Sequence, residues 1–550
     1  MLPSHDPDES YAMMPFAQRA GASLRAGLFV ALFVAGATTR GAELSLTSAT
    51  ISELNAAMDA GAISSESLVQ RYLDRIEAYD EAGPNLNSVI LVNPRALQRA
   101  RELDAERREN GRRSPLHGIP VVVKDNIDTA DMPTTAGSFL LKDSMPPDDA
   151  FVIQRLRAAG AIVIAKTNLS EFASGDAISS LGGVIRNPHH LGRSPAGSSG
   201  GSGAAVAAGF ASVGLGTDTG GSVRGPSSAN GIVGLKTTHG LVSRDGVVPL
   251  ALSFDTVGPM ARSVEDVAIA LQVMAAPDPA DSSTDKARDQ PLVDYVAALD
   301  ADALAGKRIG VARVFMDQNP EVDWAVESAL ESMRQAGAEI VDVEFPEWLM
   351  DSRNQFYRAI RYPEFKAQIA TYLATTGPAF AKDLEGLIER AMQLTARRDD
   401  GAIPNPTRWA LMRKEVEATD LDGFEYRAVL EYALPLIRTT VDGLMADAEL
   451  DAIVYPTSGN PARLVERDRR SGVAPGSNTS PVTLANLSGF PDLIVPIGFT
   501  GRGLPVTLSF LGPAFSEARL LGLGYALEQR LGAIRLPKHT PALDGELLAY

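Results

Sequence analysis

Ser222 stands in GTDTGGSVRGP (216–226), where Asp218 and Thr219 precede Gly220 and Gly221 and Arg224 follows. A hydroxyl beside consecutive glycine amides combines a nucleophile with N–H donors that can face a developing oxyanion, which is what acyl transfer requires. The wider run Pro195–Pro226 is almost entirely Gly, Ala, Ser and Thr. Its value therefore lies in backbone, which approaches a ligand closely only where Cβ atoms are absent. A flexible linker is disfavoured, because AAVAAGFASVGLG (204–216) is a small-residue apolar segment suited to packing. A phosphate loop fails on pattern: there is no GxxxxGK before Ser or Thr, and no GxGxxG opens a helix after a strand. A Ser-His-Asp hydrolase would carry GxSxG, whereas Ser222 sits in GGSVR with Arg224 in place of the second Gly.

Four segments in order are informative together: HGIPVVVKDNID (117–128), GSSGG (197–201), GTDTGGSVRGP (216–226) and GIVGLK (231–236). This set resembles the amidase signature family of C–N hydrolases, with similarity from about residue 47 to 275 and again from about 450 to 535. Two departures concern subfamily and not chemistry: Ala196 where many members have Gly, and Thr237 where many have Pro. The resemblance implies Ser222 as nucleophile, Ser198 as a bridging serine on a cis peptide bond, and Lys124 as the terminal base. It also implies an oxyanion hole from the backbone of Thr219, Gly220, Gly221 and Ser222, with Asp218, Arg224 and Ser199 in support. A serine hydroxyl must lose its proton as it attacks, so a lysine base must be neutral. Free lysine titrates near 10.4, and burial is the effect that lowers it.

The elements around these residues read as strands alternating with helices. GIPVVVKDN is a continuous β-branched run ending at Lys124, a buried strand with a lysine at its end. A helix over 149–159, Gly160 and the strand AIVIAK follow; Lys166 ends that strand and is read as structural. Thr50 and Glu53 form a capping box for a helix reaching about Ala60, and further helices are expected over about 65–79 and 94–110. Residues 277–291 are a Pro/Asp/Ser-rich surface loop, and 285–450 a variable helical region. There Phe356, Tyr357, Trp409 and Met412 are weighed as pocket residues against the commoner role of core. Strands return at DAIVYPT, DLIVPIGF and LPVTLSFLG before a helix at about 516–531. The expectation is α/β: one large domain (38–550) with a mixed central sheet covered on both faces by helices, its core at 116–275 and C-terminal strands and helix at 450–535.

The chain of 550 residues carries a net charge of -17 and no basic patch, which disfavours nucleic acid and anionic membranes as partners. With no cysteine there is no disulfide, thiolate ligand or cysteine nucleophile. The six histidines include no HExxH, so neither a metal nor a cofactor is expected. Arg19 and Arg25 precede an apolar run, Ala26–Ala37, that ends in a small-residue cleavage pattern. It is too short to cross a bilayer, which takes about 20 residues. Residues 1–37 are expected to be a signal peptide, with 1–12 an upstream extension ahead of a start at Met13 or Met14, and the mature enzyme exported without membrane insertion. The partner expected is a small-molecule or peptide amide. The peptide amidases are the branch most resembled, with aryl acylamidases near. The alternatives carried are a component of an amidotransferase that releases ammonia, and an inactive binding protein of the same fold.

Overall fold

The computed structural model describes residues 43–395, 405–465 and 481–549. The signal peptide and upstream extension expected at the N-terminus lie outside the described residues. The unit from Ala42 onward is built on one sheet of eleven strands. In chain order these are β1 (Val89–Val92), β2 (Pro120–Lys124), β3 (Ile162–Thr167), β4 (Val213–Asp218), β5 (Val233–Lys236) and β6 (Thr256–Ala261). β7 (Arg308–Val311), β8 (Glu339–Asp342), β9 (Ala452–Pro456), β10 (Asp492–Phe499) and β11 (Pro505–Leu511) complete it. Across the sheet the order is β8-β7-β9-β11-β10-β5-β6-β4-β2-β3-β1. β2 runs parallel to both β3 and β4, whereas β4 pairs antiparallel with β6 and β5 antiparallel with β10. The sheet is mixed and flanked by helices, as the alternation of patterns implied.

The pattern of β2 explains its place. PVVVK is buried at every position and hydrogen-bonded on both edges, and a strand covered on both faces reads as an unbroken apolar run. Its neighbour β4, VGLGTD, is also wholly buried; the small-residue helix Gly200–Ala207, with no exposed residue, packs over both strands. The chain thus brings the ends of β2 and β4 together under the N-terminus of that helix. β5 and β10 carry the sheet on to the C-terminal segments, so Asp492 at the start of β10 lies opposite Lys236.

Around this centre the helices follow their sequence signals. Thr50 and Glu53 make both bonds of the capping box for Ile51–Asp59. The helix expected over 65–79 runs Ser65–Ile76 and continues as a single π turn, Glu77–Glu81. The acidic stretch at 277–291 is a loop with two short helical turns, Ser282–Thr284 and Asp285–Arg288, tied down where Asp281 meets Arg244 at 2.6 Å. Of the four residues weighed as pocket or core, Met412 is 1% exposed in an apolar cluster that Trp409 packs against. Phe356 and Tyr357, on the long helix Glu347–Thr375, pack against a second cluster.

Candidate active site

Lys124 ends β2 fully buried, with no carboxylate in contact among the described residues. Its Nζ donates to Ser198 Oγ at 2.7 Å, to Thr217 Oγ1 at 2.7 Å and to the Thr217 carbonyl at 3.4 Å. Burial pushes its ammonium down from 10.5 to about 7, against the pull of the Asp218 and Asp255 carboxylates. Near neutrality a large share of Lys124 is therefore the free amine, able to accept a proton.

Ser198 is 2% exposed and follows a cis peptide bond from Gly197. Ser199 caps the start of the Gly200–Ala207 helix, where its N–H donates to the Ser222 carbonyl at 3.2 Å and its Oγ to the Thr217 carbonyl at 3.3 Å. One backbone and one side-chain contact thus tie the Ser198 segment to the Ser222 loop and to the end of β4. Ser222 itself is half-buried, and its hydroxyl makes no hydrogen bond among the described residues. The leg from Lys124 to Ser198 is thus closed by a hydrogen bond, and the leg from Ser198 to Ser222 is not.

The loop between β4 and the helix Arg224–Asn230 is held by Asp218. Its carboxylate accepts the N–H of Gly221 at 2.8 Å and of Val223 at 3.0 Å, pairs with Arg224 at 3.0 Å, and takes Asn486 Nδ2 at 2.9 Å. Arg224 pairs on its other side with Asp492 at 2.9 Å, all three charged groups being fully buried. Burial alone would raise the Asp218 carboxyl, but the adjacent guanidinium and the converging hydrogen bonds hold it well below the usual carboxylate range. Burial likewise opposes the charge of Arg224, and Asp218 and Asp492 outweigh it.

One expectation needs correcting. The Gly221 N–H is engaged by Asp218, so it is turned away from any oxyanion. Its φ of +111° is open to glycine, and a Cβ there would fall 2.7 Å from Val482. The N–H groups of Thr219, Gly220 and Ser222 have no acceptor among the described residues and remain available. Three of the four expected donors are thus free of an acceptor among the described residues.

Lys166, read from the sequence as structural, has a different environment. It faces Asp125 at 3.2 Å, the Ile127 carbonyl at 2.8 Å and Thr134 Oγ1 at 2.9 Å. Several residues of the site carried no signal of their own. Thr217 anchors Lys124, Asp255 accepts from Thr219 Oγ1 at 2.5 Å, and Asn486 and Asp492 brace Arg224 from the far end of the chain. Tyr357 covers Gly220 so closely that a Cβ there would lie 2.6 Å from its hydroxyl. Beside the loop lies a cavity of about 350 Å³, bordered by Ala196, Gly225, Val482, Thr457 and Pro505. Among the described residues no group of three His, Asp or Glu is arranged to hold a metal ion, and no helix is long and apolar enough to cross a membrane.

The amidase family model matches residues 67–521, and the chain belongs to that family. Its members' chemistry makes it an amidohydrolase or amidotransferase. Among solved structures it is similar to the native peptide amidase from Stenotrophomonas maltophilia, at 40% identity and a TM-score of 0.81, covering 90% of this chain and 99% of that one. It is also similar to the A subunit of glutamyl-tRNA(Gln) amidotransferase from Thermotoga maritima, at 29% identity and a TM-score of 0.69, covering 91% and 99%. A curated relative, the A subunit of the same kind of amidotransferase from Caldanaerobacter subterraneus subsp. tengcongensis, is 35% identical over 509 residues, which is 92% of this chain and 100% of that protein.

These relatives overturn the expectation of a signal-bearing, secreted or periplasmic enzyme: curated proteins matched along most of the chain are A subunits of a glutamyl-tRNA(Gln) amidotransferase. An arginine-flanked apolar run is a matter of composition, which many short segments satisfy, whereas these matches span the folded chain.

Proposed function

We propose that the chain hydrolyses a carboxamide to a carboxylic acid and an amine or ammonia through an acyl-enzyme on Ser222. The observation that carries this reading is the 2.7 Å contact between Ser198 Oγ and a buried Lys124 that titrates near 7. Ser222 Oγ attacks the amide carbon, and its proton passes to Ser198 Oγ as the Ser198 proton passes to Lys124 Nζ. The carbonyl oxygen, now an oxyanion, is received by the free N–H groups of Thr219, Gly220 and Ser222; each such donor is worth about 3 kcal/mol of barrier. The C–N bond then breaks, and the lysine proton returns through Ser198 to the departing nitrogen. Water repeats the sequence on the ester, releasing the acid and restoring Ser222. The Ser198–Ser222 leg closes on substrate binding, which tightens catalytic hydrogen bonds of this kind.

Similarity to the peptide amidase, at 40% identity over nearly its whole length, supports a peptide amide as substrate. A second reading has its own support: the curated relatives are components of an amidotransferase, which favours a chain that releases ammonia for a partner. Both readings share the hydrolysis of a primary carboxamide at Ser222. They are separated by following ammonia release from peptide amides and from glutamine with the purified chain alone. Turnover of peptide amides by the isolated chain supports the first reading; turnover confined to glutamine supports the second. Labelling of Ser222 by a fluorophosphonate distinguishes both from an inactive binding protein of the same fold.

A further inference from the structure

The oxyanion loop is held from outside its own motif by Asp255. This residue, 4% exposed, immediately precedes β6. The antiparallel pairing of β4 with β6 sets Asp218 opposite Thr256 and so carries Asp255 alongside Thr219. One carboxylate oxygen of Asp255 accepts the N–H groups of Leu250 at 2.8 Å and Ala251 at 3.0 Å, and the other accepts the Thr219 hydroxyl at 2.5 Å. A carboxylate fixed by its own turn thus reaches the first residue of the donor loop.

The charges around the base single it out further. Asp218 and Asp255 are the two carboxylates that act on Lys124. Asp218 is neutralised by contact with Arg224, which also meets Asp492. Asp255 has no cation in contact among the described residues; Arg244 acts on it from a distance and is itself paired with Asp281 at 2.6 Å. On the neighbouring β3, Lys166 is paired with Asp125 at 3.2 Å. From the helix Glu347–Thr375, Tyr357 faces both Asp255 and Asp218 and stays protonated, its hydroxyl raised by burial. Burial lifts Asp255 to about 6, so above that pH it is an anion.

We infer that Asp255 is a positioning residue for the reaction: it holds Thr219, and with it the donor loop, in place, and its charge adds to that of Asp218 as the counter-charge against which Lys124 releases and takes its proton. The inference rests on the reading of Lys124 as the base. Removing the anion leaves the ammonium form of Lys124 less stabilised, so the amine persists to lower pH. Removing only the Thr219 hydroxyl frees the loop and leaves the carboxylate in place, though without the hydrogen bond that favours its charged form.

The test compares pH profiles of kcat/KM for Asp255→Asn, Thr219→Val and Thr219→Ser. Asp255→Asn is expected to move the acid limb to lower pH. Thr219→Val is expected to lower kcat by roughly ten- to a hundredfold, the scale of a misplaced catalytic group, with the limb moved less than in Asp255→Asn, and Thr219→Ser to restore kcat. An Asp255→Asn enzyme with an unmoved limb overturns the inference, as does a Thr219→Val enzyme with wild-type kcat. Thr219→Val decides the matter even where Asp255→Asn fails to fold. Lys124→Ala separates the two levels: if it stays active, the reading of the base fails; if it is inactive and the limb of Asp255→Asn stays put, only the role of Asp255 fails.

Discussion

Lowering the pH tests the proposed base most directly. A lysine titrating at 10.5 is neutral at pH 7 in about three molecules per ten thousand, whereas one pushed to about 7, as Lys124 is, is neutral in about half. Burial thus supplies roughly a thousandfold more free amine. From this the acid limb follows: kcat/KM should level off above about pH 8 and fall about tenfold for each unit below about pH 6. The assay is kcat/KM for an uncharged carboxamide in buffers of constant ionic strength, with circular dichroism at each pH to show that the fold persists. Lys124→Met is the companion experiment, expected to abolish activity. It also has a sign for stability. The folded-state value lies below the unfolded one, so the stability Lys124 contributes is present above about 10.5 and is lost as the pH falls toward about 7. Replacing it by an apolar side chain should therefore leave the melting temperature at pH 7 unchanged or higher. A flat acid limb with chemistry rate-limiting, or an active Lys124→Met enzyme, refutes the assignment.

Hydroxylamine should intercept the acyl-enzyme and give a hydroxamate, with the same partition for an amide and an ester sharing one acyl group. Ser222→Ala should lose both products, and a leaving-group-dependent partition measured by mass spectrometry counts against the intermediate. Lys166→Met leaves Asp125 buried without its cation and should cost about 3–5 kcal/mol of stability in urea melts, whereas Lys124→Met should not. Ala196 holds a φ of +59°, so Ala196→Gly should stabilise the protein by about 0.5–1 kcal/mol in the same melts.

What could be read from sequence is what repeats at short range. PVVVK declares a strand buried on both faces because its apolar run is unbroken, and Thr50 with Glu53 declares a helix start because the capping partners lie three residues apart. The order of strands across the sheet has no such local sign. β5 and β6 lie between β10 and β4, and the β5–β10 pairing joins residues more than 200 positions apart, such as Asp492 with Lys236. The site divides in the same way. Ser198, Ser222 and Lys124 sit in compact motifs, whereas Asn486 and Asp492 reach Arg224 only because the C-terminal strands return to the centre. The assignment of Gly221 to the oxyanion failed for a related reason: nothing in GTDTGGS says that Asp218 folds back to take that N–H.

Three lysines in this centre are fully buried, and their surroundings give each a different task. Lys166 meets the Asp125 carboxylate and, through the Ile127 carbonyl, pins the segment after β2. Lys236, lowered by burial to about 7, spends its donors on the carbonyls of Thr237 and Phe490 at 2.9 and 2.8 Å, oxygens that have no proton to give. Lys124 is lowered just as far, yet its partners are the hydroxyls of Ser198 and Thr217, groups that can give a proton as well as take one. A depressed lysine is therefore not a base by virtue of its burial alone. It becomes one where a hydroxyl stands between it and a reacting group, and among these three that condition is met beside Ser198.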